Sequence, residues 1–347
     1  MMASVGMCNN SISSSISISA VLLPTRLLSY NLIHGRHFTA QPLRASLATV
    51  VDTDPLIDET KLNIRKNILA CPICYERLIW NGDPDLSLKS VARSTLKCST
   101  CKKSYSGNDS HLDLTITGGG KVYGEPMAVS TELFRNPLVS FLYERGWRQS
   151  FSLVGGFPGP EKEFELSKEY LKPVLGGNIV DASCGSGMFS RLFAKSGLFS
   201  LVIALDFSET MLQQCYDFVK QEDNFPEENL ILVRADISRL PFPSSTVDAV
   251  HAGAALHCWP SPSAAVAEIS RVLKPGGIFV ATTYIADGLL SYLPLRRPLR
   301  QNIAQLSGSH AFLSEMELED LCTSCGLVNF TCTRNRSFVM ISAMKPV

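Results

Sequence analysis

Two groups of residues in this chain have the types and spacing to do chemistry, a double pair of cysteines and a glycine loop followed by spaced acids. Cys71 and Cys74 in Cys-Pro-Ile-Cys are followed, after 23 residues, by Cys98 and Cys101 in Cys-Ser-Thr-Cys. Each C-x-x-C brings two thiolates onto one tight turn, and two such turns supply the four sulfurs of a closed tetrahedral site, as in a structural zinc ribbon. Four protein ligands leave no open position for water, which argues against a catalytic metal. A redox dithiol or a pair of disulfides would use the same residues, but two knuckles in register favour the metal. The surrounding Lys89, Arg93, Lys97, Lys102 and Lys103, with Tyr105 nearby, form a basic face that either meets phosphates or is simply solvated.

The second group begins at Asp181, which is followed by Ala182, Ser183, Cys184, Gly185, Ser186 and Gly187. Two glycines this close, between a strand and a helix, let backbone and ligand approach one another. By itself this loop is a weak signal, because a similar turn holds pyrophosphate in dinucleotide sites. Asp206 lies 19 residues beyond Gly187, where a carboxylate can accept both ribose hydroxyls of a nucleoside. That acid fits either cofactor class.

These residues require particular elements around them. Short apolar runs at Asn178 to Ala182, Leu201 to Asp206, Leu230 to Ala235, Val247 to Ala252 and Ile278 to Thr283 read as strands. Helical patterns separate them, and that alternation predicts a doubly wound parallel sheet. Met211, Leu212, Cys215, Phe218 and Val219 form one apolar helix face behind a Ser208 N-cap, which makes Cys215 a core residue. Near the C-terminus Ser314 and Glu317 spell a capping box, and Leu318, Leu321, Cys322 and Cys325 then fall on one stripe. That last C-x-x-C is therefore packing, not a metal knuckle.

Downstream of Asp206 the chain reads Arg-Ala-Asp236-Ile237-Ser-Arg-Leu-Pro-Phe, then Val-Asp-Ala-Val, then Arg271-Val-Leu-Lys-Pro-Gly-Gly. Together with the glycine loop this resembles the class I methyltransferases, particularly the ubiquinone and menaquinone biosynthesis type, over about residues 172 to 283. The resemblance implies an α/β, Rossmann-like fold with a mostly parallel seven-stranded sheet, here preceded by the small zinc ribbon. It implies S-adenosylmethionine as cofactor, with the loop of Asp181, Gly185 and Gly187 at its methionine part, Asp206 on the ribose, Asp236 at the adenine amino group with Ile237 flanking, and Ala182, Ser183, Phe207 and Met211 also among the cofactor-binding residues. Ser183 departs from the family, which has glycine there. Val328 to Cys332 and Ser337 to Ala343 look like the terminal hairpin that adds an antiparallel strand to the family sheet.

A four-cysteine ribbon ahead of such a domain is also seen in bacterial ribosomal RNA guanine methyltransferases. It is closer still to a group of plant plastid methyltransferase-like proteins, some found with plastoglobules. The segment Phe134 to Trp147 and the run Gly155-Gly-Phe-Pro-Gly-Pro-Glu look like theirs. The resemblance thus points to a small hydrophobic acceptor of the prenylquinone kind, with an RNA base or a non-catalytic scaffold as the alternatives.

His257 follows the fourth strand, at the sheet edge where ligands bind in such folds, and is read either as a general base or as pocket wall beside Trp259. Cys184 sits at a helix N-terminus, a setting that lowers a thiol pKa, but with the cofactor as its neighbour it is read as structural. The Tyr292 to Arg300 insertion mixes apolar and cationic groups and suits either a lid or a lipid surface.

The bulk numbers agree with this organisation. At 347 residues and 45% hydrophobic the chain can bury one large core and a small satellite. The first 51 residues carry Arg26, Arg36 and Arg44 but no Lys, Asp or Glu, so removing them from a balance of 32 basic and 32 acidic residues leaves 29 against 32. A mildly acidic mature chain is not built as a whole to coat nucleic acid. Residues 1–50, rich in Ser and broken by Pro24 and Pro42, read as a plastid transit peptide more than a mitochondrial one. No apolar run approaches the ~20 residues that span a bilayer. The expected organisation is therefore a transit peptide over 1–50, a zinc ribbon over 66–115 and a methyltransferase domain over 122–347.

Overall fold

The computed structural model describes residues 67–82, 88–117, 155–285 and 313–347. The predicted transit peptide, the Phe134 to Trp147 segment and the Tyr292 to Arg300 insertion lie outside the described residues. All described residues belong to one compact unit. No helix among them is long and apolar enough to cross a membrane.

The first described stretch forms an antiparallel three-stranded sheet of β1 (Leu78–Trp80), β2 (Thr95–Cys98) and β3 (Ser104–Ser106), with a short helix α1 (Leu88–Ala92) between β1 and β2. The chain then enters the large sheet directly, because β4 (Leu112–Asp113) pairs in parallel with the edge strand of that sheet.

The large sheet has eight strands in the order β10-β11-β9-β8-β5-β6-β7-β4. Its parallel centre is β5 (Asn178–Ala182), β6 (Leu201–Asp206), β7 (Leu230–Arg234), β8 (Val247–Ala252) and β9 (Leu273–Tyr284). The hairpin of β10 (Val328–Asn335) and β11 (Phe338–Met344) closes the other side, with β11 antiparallel to β9. The seven strands expected from sequence are all present. The eighth, β4, was not foreseen: two residues have no readable periodicity, and only the open edge of β7 makes them a strand.

Alternation along β5 divides the core. Val180 and Ala182 join the apolar cluster that contains Val266 and Ile269 of α5 (Pro262–Val272) and Leu318 and Cys322 of α6 (Glu315–Ser324). Ile179 faces the opposite cluster, with Phe164 of α2 (Pro160–Leu171), Phe189 and Phe193 of α3 (Met188–Ser196), and Leu212 and Cys215 of α4 (Glu209–Gln221). The predicted caps are in place: Ser208 Oγ accepts the Met211 amide at 3.3 Å, and Ser314 and Glu317 form a reciprocal capping box.

The cysteine-bearing segment does not stand apart as a satellite. Ile68, Leu69, Leu78, Leu96 and Leu112 lie in the same apolar cluster as Val180 and Ile269. A segment this short buries little apolar surface by itself; in the fold, apolar burial against the large sheet contributes to its stability.

Among the described residues Arg234, at the end of β7, is the largest fully buried side chain, only 2% exposed. Its guanidinium meets Asp113 Oδ2 at 3.0 Å and Glu209 Oε1 at 2.9 Å, and its Nε donates to the Phe207 carbonyl at 3.0 Å. One cation thus joins β4 to the turn after β6.

Candidate functional site

The chain passes from β5 outward to β6 and β7, then returns to β8 on the other side of β5. In such sheets ligands bind in the crevice at this switch point, between the loops that leave the carboxyl ends of β5 and β8. The loop after β5 turns through three left-handed residues, Ser183 at φ 59°, Gly185 at φ 58° and Gly187 at φ 78°.

Two of these are glycines for different reasons. A Cβ on Gly185 would meet nothing within 4 Å, so the loop is open on that side, where a ligand would approach. A Cβ on Gly187 would fall 2.1 Å from the Cys215 sulfur, so this glycine exists to let α3 and α4 pack.

Ser183 pays the left-handed cost without being glycine, and the structure supplies the reason. Trp259 Nε1–H, from the loop after β8, donates to Ser183 Oγ at 2.8 Å, tying the two walls of the crevice together. Glycine would relieve about 1 kcal/mol of backbone strain but, like alanine, leave the indole N–H without this acceptor. Ser183→Gly is therefore expected to be about 1 kcal/mol less destabilising than Ser183→Ala. Ser183→Ala keeps the strain and strands the buried indole N–H, for a loss of about 1–3 kcal/mol. Urea denaturation checks this, and a Ser183→Ala protein as stable as wild type would show the bond to be unimportant.

Asp181 is buried and faces inward. His251 Nδ1 lies 2.8 Å from its Oδ1, and Ser190 donates to its Oδ2. Both oxygens are thus engaged by protein groups, so Asp181 braces the loop from behind. Ala182 is buried beside it at the strand end.

Asp206 is placed differently. Its Oδ2 accepts the Gly185 amide at 2.9 Å and its Oδ1 accepts the Ser208 amide at 2.8 Å, and each oxygen has a second lone pair to offer. Burial raises its pKa above the usual carboxylate value, against the amides of Ser208, Gly185 and Phe207, which lower it. A desolvated carboxylate with spare lone pairs is a strong acceptor for paired hydroxyls. Phe207, next in sequence, carries the Arg234 guanidinium 5.0 Å from its ring centroid. Met211 is buried on α4.

Asp236 follows β7 in a tight turn. Its Oδ1 accepts both the Ser238 amide, at 2.8 Å, and the Ser238 hydroxyl, at 2.7 Å, and its main-chain carbonyl accepts the Arg239 amide at 3.0 Å. Ile237 is buried under this turn.

His257 lies in a 3-10 turn, Leu256–Cys258, with Nδ1 3.2 Å from Thr283 Oγ1 and its ring 5.3 Å from that of Tyr284. Burial pushes its pKa down to about 4, so the imidazole is neutral at pH 7 and a weak proton acceptor. That favours the wall role over the general base. Phe157 lies 4.6 Å from Tyr284, ring centroid to ring centroid, and is buried in one apolar cluster with Phe338, whereas Trp259 is buried in the opposite one. Burial also raises the Cys184 thiol pKa well above normal, overriding the helix N-terminus and making it a packing residue.

His111, below the edge strand, is likewise pushed down to about 4 by burial. Both histidines have folded-state pKa values below the ordinary 6.5, so the unfolded chain binds more protons between pH 6.5 and about 4. Their contribution to stability is complete above that window and is lost as pH falls through it. The melting temperature is expected to drop steeply from pH 6.5 to 4, and His111→Gln, which keeps hydrogen-bonding capacity but does not titrate, should flatten the drop. Calorimetry across that range would show an unchanged slope in the variant if the assignment is wrong.

Cys71, Cys74, Cys98 and Cys101 converge, with their four sulfurs all within 4.8 Å of one another. The near pairs are Cys71 with Cys101 at 3.6 Å and Cys74 with Cys98 at 3.4 Å. A tetrahedron of sulfurs around a zinc at ≈ 2.3 Å has edges of about 3.8 Å, so the donor set fits such an ion. Sequence inspection had not singled out Trp259 as a partner for Ser183, nor the buried Arg234. Both are long-range pairings that no local pattern records.

Comparison with known proteins agrees with this geometry. The family profile of a methyltransferase domain matches residues 180–281, which run from β5 into β9. The chain is 68% identical over 283 residues to a chloroplastic methyltransferase of Arabidopsis thaliana, covering 81% of this chain and 79% of the relative. It is 50% identical over 312 residues to a second chloroplastic methyltransferase of that plant, covering 88% and 86%. A shorter likeness, 35% over 125 residues and covering 34% of this chain and 50% of the relative, is to a demethylmenaquinone methyltransferase of Staphylococcus aureus. With a glycine loop at the switch point, acids at two strand tips and relatives matched over most of its length, the chain belongs to the class I S-adenosylmethionine-dependent methyltransferases.

Proposed function

We propose that this enzyme methylates a small, hydrophobic, prenylquinone-like acceptor in the chloroplast. The observation that carries the substrate class is a neutral His257 whose ring lies 5.3 Å from that of Tyr284, at the carboxyl ends of β8 and β9. A neutral imidazole beside a phenol suits an apolar ring and offers no fixed charge to a phosphate. The likeness to a demethylmenaquinone methyltransferase supports the same class. The location rests on the chloroplastic relatives and on the acid-free, Ser-rich residues 1–50, taken as a transit peptide.

S-adenosylmethionine, when bound, supplies an electrophilic methyl group on a sulfonium. The chain's own part is to hold both reactants in line, which can account for much of the rate of a direct displacement. In this proposal Gly185 lets the loop approach the cofactor, Asp206 accepts the ribose hydroxyls through its spare lone pairs, and Asp236 offers Oδ2 to the adenine amino group. Ala182, Ser183 and Gly187 shape the loop, Phe207, Met211 and Ile237 back it, and Asp181 braces it. His257 lines the acceptor side. Cys71, Cys74, Cys98 and Cys101 hold a structural zinc ion in a ribbon spanning 66–115, ahead of a methyltransferase domain over 122–347. Contact with a lipid droplet or membrane surface would bring an apolar acceptor to the crevice.

Incubating the protein with methyl-labelled cofactor and either plastid lipid extract or plastid RNA tests the acceptor class. Label in the lipid fraction is expected. Label in RNA would move the acceptor to a nucleic-acid base, and label in neither, with cofactor binding intact, would favour a scaffold.

A further inference from the structure

The turn that carries Asp236 and the first cysteine knuckle are joined by one side chain. Arg239, three residues beyond Asp236, donates from Nε to the Pro72 carbonyl at 2.8 Å and from Nη2 to the Ile73 carbonyl at 3.1 Å. Pro72 and Ile73 are the two residues between Cys71 and Cys74. The main chain adds a third bond, from the Ala70 amide to the Pro241 carbonyl at 2.8 Å.

A second arginine completes the joint. The Arg271 guanidinium lies 4.0 Å from the ring centroid of Tyr75, the residue after Cys74, and its Nη1 and Nη2 donate to the carbonyls of Phe242 and Leu240 at 2.8 and 2.9 Å. Glu268 in turn accepts the Leu240 amide at 2.8 Å and pairs with Arg271. Residues 239 to 242 are thereby held between the knuckle and the C-terminal end of α5.

We infer that Arg239 is a positioning residue that ties the Asp236 turn to the first knuckle, so that metal in the four-cysteine site sets the affinity for the adenosyl ligand. This rests on the reading that Asp236 faces the adenine. Physically, a metal holding the sulfurs of Cys71 and Cys74 fixes where the intervening carbonyls point. Two aligned acceptors then pin a planar guanidinium, which donates in a rigid fork. Thiols without the ion have no such fixed geometry, and the Arg239 anchor becomes free to wander. The Asp236 turn, closed by the amide of the same Arg239, loosens with it.

The test uses the full-length protein, with bound metal measured in each sample and S-adenosylhomocysteine titrated calorimetrically. Removing the metal from the wild-type protein with a chelator should weaken binding about tenfold. Arg239→Ala should cause a similar loss in metal-loaded protein whose metal content is unchanged, and chelation should then change the affinity of that variant by less than about twofold. Unchanged affinity of the chelated wild-type protein, no loss in the variant, or two losses that simply multiply would each overturn the inference.

Hydrogen exchange covers the case in which either treatment unfolds the chain. In metal-loaded Arg239→Lys, which keeps the charge but not the fork, the amides of 237 to 240 should exchange about tenfold faster while those of Gly185 and Gly187 keep their protection. Equal protection at 237 to 240 in variant and wild type would overturn the tie. If metal-loaded wild-type protein binds no S-adenosylhomocysteine at all, the cofactor assignment fails, and the exchange measurement still decides whether Arg239 holds the turn.

Discussion

Asp206→Ala lowers the affinity for S-adenosylhomocysteine by at least about 100-fold, with the cooperative melting transition retained. The expectation follows from two jobs done by one carboxylate. Each ribose hydroxyl donated to an ionised acceptor contributes about 1.5–3 kcal/mol, and two together correspond to at least about 3 kcal/mol, or 100-fold. The same group also accepts the Gly185 amide at 2.9 Å, so its loss frees the glycine loop that the ligand must approach. Asp206→Asn separates these contributions, because it keeps the shape and one carbonyl acceptor but sets an NH2 group against a backbone N–H. Its affinity should fall between the other two proteins. The fold should survive, because Asp206 sits at the half-buried end of β6 and the apolar residues before it stay in place. Calorimetric titration decides the matter, and an Asp206→Ala protein that binds as tightly as wild type would remove the residue from the site.

The second large effect is on stability and lies at the edge of the sheet. Arg234→Met is expected to cost about 3 kcal/mol, because removing one member of a buried ionic cluster leaves the others uncompensated. In a domain of this size that corresponds to a fall in melting temperature of roughly 6–12 °C. The partners are not equivalent: the Asp113 side chain is 16% exposed, whereas that of Glu209 is 41% exposed and already faces water. Glu209→Ala should therefore cost less than about 1 kcal/mol, since a solvated partner is screened. Asp113→Ala should cost more than that, because β4 also loses its grip on Arg234. Scanning calorimetry of the three variants gives the order, and an Arg234→Met protein that melts with the wild type would show the cluster to be energetically idle.

The two effects meet in the same region. Arg234 donates to the Phe207 carbonyl, one residue beyond Asp206, and it ends the strand that leads to Asp236. The segment that brings in the cysteine knuckles is therefore fastened along the β6–β7 side of the sheet, through Asp113 at the edge strand and through Arg239 at the turn. The other side, around Trp259 and Tyr284, is built from β8, β9 and the residues just beyond them.

Much of this was written in local sequence. The five parallel strands were readable because buried parallel strands are short apolar runs, and three of them have the bounds expected from that pattern. The caps at Ser208 and Ser314 were readable because a helix end must satisfy its own amides within three residues. The glycines, the acids at the strand tips and the paired cysteines were likewise set by spacing. Tertiary structure alone decided the rest. Asp181 and Asp206 are both acids at the end of a strand and each carboxylate oxygen has a protein partner, yet Asp181 is fully buried against His251 and Ser190 while Asp206 is only half-buried and can be reached by a ligand. Ser183 tolerates a left-handed backbone because an indole 76 residues away donates to it. The edge strand β4 and the forked contact of Arg239 with the knuckle exist only because the fold presents an open strand and two carbonyls to them. Local sequence dictates backbone conformation through steric and capping rules that act over a few residues. Which lone pair stays free, and which buried charge finds its partner, depends on groups that only folding brings within 3 Å.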